Sequence, residues 1–71
     1  VTNGSFDITG TKSNGINNQA SSTSKTTSVT FEMNATKTNG ITNAGDLKSY
    51  SDIFNMNTDD TNGIIGTGGD I

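Results

Sequence analysis

The side chains with reactive chemistry are few, and their spacing is informative. The chain has no Cys, His, Trp or Pro, and Lys is its only basic residue. Without Cys there is no disulfide framework, thiol nucleophile or thiolate metal site. Without His the commonest general base and zinc ligand are missing. The only adjacent acids are Asp59 and Asp60. Neighbouring residues of a strand face opposite sides, so this pair suits neither a glycosidase nor a shared-proton dyad, and it reads as a solvated turn. The stretch Asp59-Asp60-Thr61-Asn62-Gly63 hints at calcium. However, counting back from Gly63 as the sixth position of an EF-hand loop puts Thr58, not Asp, first. Gly68-Gly69-Asp70 occurs once, without the spacing of calcium-binding nonapeptides. Serines lack a base and a nucleophile elbow. Gly66-Thr67-Gly68-Gly69 has no following Lys, as a phosphate loop would. The expectation is a protein that is not an enzyme, with no catalytic residue, metal site or cofactor.

Charge and hydropathy narrow the partners. Four Lys against seven acids leave a net charge of −3, the wrong sign for a nucleic-acid surface. No apolar run exceeds two residues, so no segment is expected to insert in a membrane. The sequence starts on Val1 rather than Met, as a processed product or fragment would. Two N-glycosylation sequons, Asn3-Gly4-Ser5 and Asn34-Ala35-Thr36, make Asn3 and Asn34 candidate glycan acceptors along a secretory route.

Stepping outward from single residues, the elements come from a repeat. Three windows align without gaps: SFDITGTKSNGI (5–16), TFEMNATKTNGI (30–41) and IFNMNTDDTNGI (53–64). The only three Phe, Phe6, Phe31 and Phe54, each lie ten residues before Ile16, Ile41 or Ile64. Two residues after each Phe comes Ile8, Met33 or Met56, and each later Ile follows Asn14-Gly15, Asn39-Gly40 or Asn62-Gly63. The windows recur after 25 and then 23 residues, a period of solenoids and arrays. Thr, Asn and Gly are poor helix formers, and Phe-x-Ile/Met puts two apolar side chains on one strand face.

The expected fold is all-β, a β-solenoid or cross-β stack of about three 23–25-residue rungs forming a single repeat domain over 1–71. The alternative is a small antiparallel β meander or sandwich, because Asn-Gly is also the preferred centre of a hairpin. In the solenoid, Asn-Gly supplies a positive-φ turn. Segments 17–27 and 42–50 are expected to be loops. Four ladders follow: Phe6/Phe31/Phe54, Ile8/Met33/Met56, Ile16/Ile41/Ile64 and Asn14/Asn39/Asn62. Thr11-x-Ser13 and Thr36-x-Thr38 would stack as a hydroxyl face similar to that of ice-binding β-solenoids.

Phe31-Glu32-Met33-Asn34 and Phe54-Asn55-Met56-Asn57 resemble the FxxN repeat of chlamydial polymorphic membrane proteins, and more broadly the passenger β-helices of autotransporter adhesins. The first window has Thr9 in place of the Asn, and the Gly-Gly-Ala element of that family is replaced by Asn39-Gly40-Ile41 and Asn62-Gly63-Ile64. The resemblance covers about half the chain. It implies a surface β-helix engaged in adhesion or self-association.

Uncapped rung ends either continue in a longer chain or pair with another copy, and head-to-tail pairing of identical subunits makes a filament. The first functional expectation is a structural subunit of an extracellular or cell-surface β-rich filament, whose partner is itself. The second is a fragment of an adhesin β-helix. The third is a soluble ice- or glycan-binding module.

Overall fold

The computed structural model describes residues 1–71 and contains strands but no helix. Eight strands follow one another: β1 Ser5–Ile8, β2 Asn14–Asn18, β3 Thr23–Thr27, β4 Thr30–Met33, β5 Thr38–Asn43, β6 Asp46–Tyr50, β7 Ile53–Met56 and β8 Thr61–Gly66. Every strand pairing is parallel, and each of β1 to β5 pairs with the strand three places later. The result is three short sheets, ordered β1-β4-β7, β2-β5-β8 and β3-β6. Parallel pairing rules out the antiparallel meander. The chain thus makes two passes over the same three sides, β1–β3 and β4–β6, and a third, β7–β8, over the first two of them.

Two expectations need correction. Segments 17–27 and 42–50 are not loops: they hold the end of β2 or β5 and all of β3 or β6. Thr-Ser-Lys-Thr-Thr carries no apolar alternation, yet Thr is at home in a strand and Thr26 is fully buried. The Asn-Gly pairs are not turns either. All three lie inside β2, β5 and β8, and none of their residues has a positive φ. The left-handed non-glycine positions are Ser21, which has no counterpart in the later passes, and two sets of three: Lys12, Lys37 and Asp60 at one corner, and Asn3, Ser28 and Ser51 at another. Both sets recur at the spacing of the windows.

The change of spacing from 25 to 23 has one structural source. Gln19–Ser22 joins β2 to β3, whereas only Ala44 and Gly45 join β5 to β6. The two extra residues are absorbed at that corner, so strands on either side keep their register.

The core sits in the second pass. Val29, Phe31, Met33 and Ile41 are fully buried and Leu47 nearly so, flanked by half-buried Phe6, Ile16, Phe54 and Ile64. The third pass has no buried residue. A central layer covered on both sides, with outer layers covered on one, follows directly from stacking three passes.

Candidate assembly site

Parallel in-register pairing turns each repeated residue into a column. Phe6 pairs with Phe31 and Phe31 with Phe54. Their ring centroids lie 5.1 and 4.7 Å apart, with planes within 11°. Ile8/Met33/Met56 and Ile16/Ile41/Ile64 are likewise in register. Exposure along the second column runs 6%, 0% and 52%, which shows how the third pass is left open.

The glycine of each Asn-Gly belongs to this column by sterics rather than by backbone conformation. A Cβ on Gly40 would stand 2.6 Å from the Phe54 ring and 2.6 Å from the Gly63 carbonyl oxygen. A Cβ on Gly15 would meet the Phe31 ring at 3.1 Å. The ring of one pass therefore lies over the glycine of the pass before it, and this explains why Phe and Asn-Gly-Ile are phased together.

Outside, the Asn14/Asn39/Asn62 column is bonded along its length. Asn39 Nδ2 donates to Asn14 Oδ1 at 2.9 Å, and Asn62 Nδ2 donates to Asn39 Oδ1 at 3.2 Å. Thr42 Oγ1 also donates to Asn14 Oδ1 at 2.9 Å.

Three polar features escape sequence reasoning. The first is a second asparagine column, Asn18 and Asn43, which is buried. Asn18 Nδ2 donates to Asn43 Oδ1 at 2.8 Å and to the Asp46 carbonyl at 2.9 Å. Asn43 Nδ2 donates to the Gly45 and Asp70 carbonyls, both at 2.9 Å. These bonds satisfy carbonyls at the tight corner before the third side, where unmet acceptors are costly. Its signal was present: each Asn lies two residues after Ile16 or Ile41. The second feature is an exposed acid–amide network. Asn34 Nδ2 donates to Asp7 Oδ1 at 2.8 Å, Asn57 Nδ2 to Asn34 Oδ1 at 2.7 Å, and Asn55 Nδ2 to Glu32. Asp7 and Glu32 are direct ladder partners, and an amide donor on each carboxylate offsets the cost of placing like charges opposite one another.

The third feature is Asp52, at the corner between β6 and β7. Its carboxylate accepts from the Thr26 and Ser49 hydroxyls and, at 2.9 Å, from the Val29 backbone N–H. Burial pushes this carboxyl's pKa up, but the bonds from Ser49, Thr26 and Val29 together outweigh it and hold the pKa below the ordinary value. No residue type repeats at this position, since Gly4 and Val29 occupy its equivalents, so periodicity could not reveal it.

The remaining candidates fall as follows. Asn3 is exposed in a left-handed turn, while Asn34, also exposed, has its side-chain nitrogen engaged by Asp7. Thr38 is fully buried and donates to the Ala35 carbonyl at 3.0 Å, so Thr36-x-Thr38 does not form one flat hydroxyl face. Asp59 and Asp60 are exposed, Asp60 in a left-handed turn. No three acidic, His or Cys side chains gather as a metal site would require. Lys25 and Lys48 stack in register, and the Lys25 ammonium lies 5.6 Å from the Tyr50 ring centre.

Comparison with models of known protein families, with curated proteins and with solved structures finds no match to this chain. The columns themselves are therefore the basis for a functional reading.

Proposed function

We propose that this chain is a β-solenoid of three rungs whose role is structural, as a subunit of an extracellular or cell-surface filament that grows by head-to-tail stacking of copies. One observation carries the reading. The Phe6–Phe31–Phe54 stack is closed in the middle and open at both ends, with Phe31 fully buried and its two neighbours only half-buried. A parallel stack of this kind offers the same backbone edge and the same ring face at each end, offset by one strand spacing of about 4.8 Å. A further rung fits either end by the interactions that hold the three together. Repetition of that contact does not close, so it gives a fibre rather than a ring.

A second reading places the same rungs inside a longer surface adhesin. It is favoured by the corner at Gln19–Ser22, which absorbs two residues without disturbing register, as insertions are absorbed at the corners of long repeat arrays.

The test is electron microscopy and fibre diffraction of the purified 71-residue chain at neutral pH. The filament reading expects unbranched fibres with a meridional reflection near 4.7–4.8 Å. Dispersed, folded particles at high concentration would remove it and leave the adhesin segment.

A further inference from the structure

The charged side chains are sorted by side. On the first side the outward charges are Asp7 and Glu32, direct ladder partners on β1 and β4, with Asn55 next in the column. No Lys lies in β1, β4 or β7, and β2, β5 and β8 carry no charge at all. On the third side Lys25 and Lys48 are direct partners on β3 and β6, both exposed, and Asp46 lies two positions before Lys48. The other two lysines, Lys12 and Lys37, stand at the corner between the first two sides, where Asp60 takes the equivalent place in the third pass.

Each charged ladder sets like charges directly opposite one another, which costs stability. Asp7 and Glu32 accept from the amides of Asn34 and Asn55. Lys25 and Lys48 have no acidic ladder partner, and Lys25 meets only the Tyr50 ring, at 5.6 Å. A pair of ammoniums and a pair of carboxylates thus stand on different sides of one molecule at the same pitch of about 4.8 Å. We infer that copies of this stack associate side by side, the third side of one laid on the first side of the next, with Lys25 on Asp7 and Lys48 on Glu32.

Geometry gives the rest of the register. All strands circulate round the stack in one sense, so two stacks with axes pointing the same way present facing strands that run in opposite directions. Reversal about the two ion pairs brings Asp46 over Asn34, whose Nδ2 keeps a second N–H beyond the one given to Asp7. It brings Tyr50 over Thr30, beside Ile53 in the adjoining strand. Tyr50 and Ile53 are 49 and 54% exposed in the single chain, so covering them adds apolar burial to the ion pairs. The occupant is another copy because the complement of the Lys column, in sign, number and spacing, is a column of the same chain. The contact joins unlike faces, so it extends to further copies instead of stopping at a dimer. It uses neither end of the stack and is independent of head-to-tail growth.

Carbodiimide coupling tests the contact, because it joins an ammonium to a carboxylate only where the two touch. Isotope-labelled and unlabelled chains are mixed at low salt and coupled, and the linked peptides are mapped by mass spectrometry. The inference expects Lys25–Asp7 and Lys48–Glu32 links that join labelled to unlabelled chains. Their yield should fall at least about fivefold between about 0.01 and 1 M salt, as the screening length drops from about 30 to about 3 Å. Lys25→Glu/Lys48→Glu, at two exposed positions, should keep the circular dichroism spectrum of the parent and lose side-by-side association in sedimentation. Fibres without these links would overturn the lateral contact and leave the filament reading standing. The links without fibres would support the lateral contact and count against the filament. Links confined to Lys12 or Lys37, or a yield indifferent to salt, would overturn it. Retention on a uronic-acid polysaccharide with no link between chains would assign the Lys column to an acidic glycan and overturn it as well.

Discussion

At the residue scale, the most informative contact is a ring lying over a glycine. Phe31 fills the centre of the stack, with a ring on either side and Gly15 behind it. Phe31→Ala removes a fully buried aromatic at a place where the neighbouring passes cannot close without breaking their backbone ladders. The expected loss is about 3–5 kcal/mol, read from denaturant unfolding. A change below about 0.5 kcal/mol, as at an exposed site, would sink the ladder account. Gly40→Ala tests the other half of the contact. Its Cβ would meet both the Phe54 ring and backbone of the third pass, so a destabilisation of about 1–3 kcal/mol is expected from overpacking. Gly63→Ala should cost less, because its Cβ finds nothing closer than 3.2 Å. Equal effects at the two glycines would mean that strand propensity, rather than ring contact, sets their cost.

At the element scale, corners matter as much as strands. Asp52 joins β6 to β7 and draws Thr26, Ser49 and Val29 towards one carboxylate, which ties the β3–β4 corner and the β6–β7 corner to one ionised group. Because its folded pKa is lowered, its contribution is fully present above the ordinary carboxylate value of about 4 and is lost as pH falls through the lowered one. Asp52→Asn should therefore be less stable than the parent at pH 7. The gap should shrink below about pH 4 as the parent's carboxylate takes up its proton. Unfolding curves at several pH values would show this, and a gap unchanged down to pH 2 would assign the loss to shape rather than charge. The corner at Gln19–Ser22 accommodates the extra length, closed by Ser22 N–H donating to the Gln19 carbonyl at 3.2 Å and by Asp46 N–H donating to the Ser22 carbonyl at 2.8 Å.

At the scale of the whole molecule, the stack measures 30 × 24 × 13 Å and has little interior of its own. Only the middle pass is covered on both sides. Each added copy would convert an outer pass into a middle one, so assembly and folding share the same free energy. The midpoint of thermal unfolding should accordingly rise with protein concentration, by several degrees over a hundredfold range, when followed by circular dichroism. A midpoint independent of concentration would place all the stability within single chains and count against the filament reading.

Much of this architecture was legible in the sequence because its signals are periodic. The all-β class follows from Phe-x-Ile and Phe-x-Met alternation together with scarce helix formers. The residues that share columns follow from the spacing of Phe6, Phe31 and Phe54 from their Ile partners. Tertiary structure decided what periodicity does not encode. Asn-Gly looked like a turn because it favours positive φ in isolation. In the stack, Gly40 is a strand residue because the Phe54 ring of the following pass needs the space. β3 and β6 looked like loops because their stability comes from pairing with each other, not from an apolar stripe of their own. Asp52 carried no repeat signal because Gly4 and Val29 stand at its equivalent positions, and only stacking brings Thr26 and Val29 of the preceding pass to a carboxylate that Ser49 already meets locally. The sequence thus determined which residues recur. The stacked structure decided which of them turn, which pair and which are left open at the ends, because those outcomes depend on the neighbouring pass.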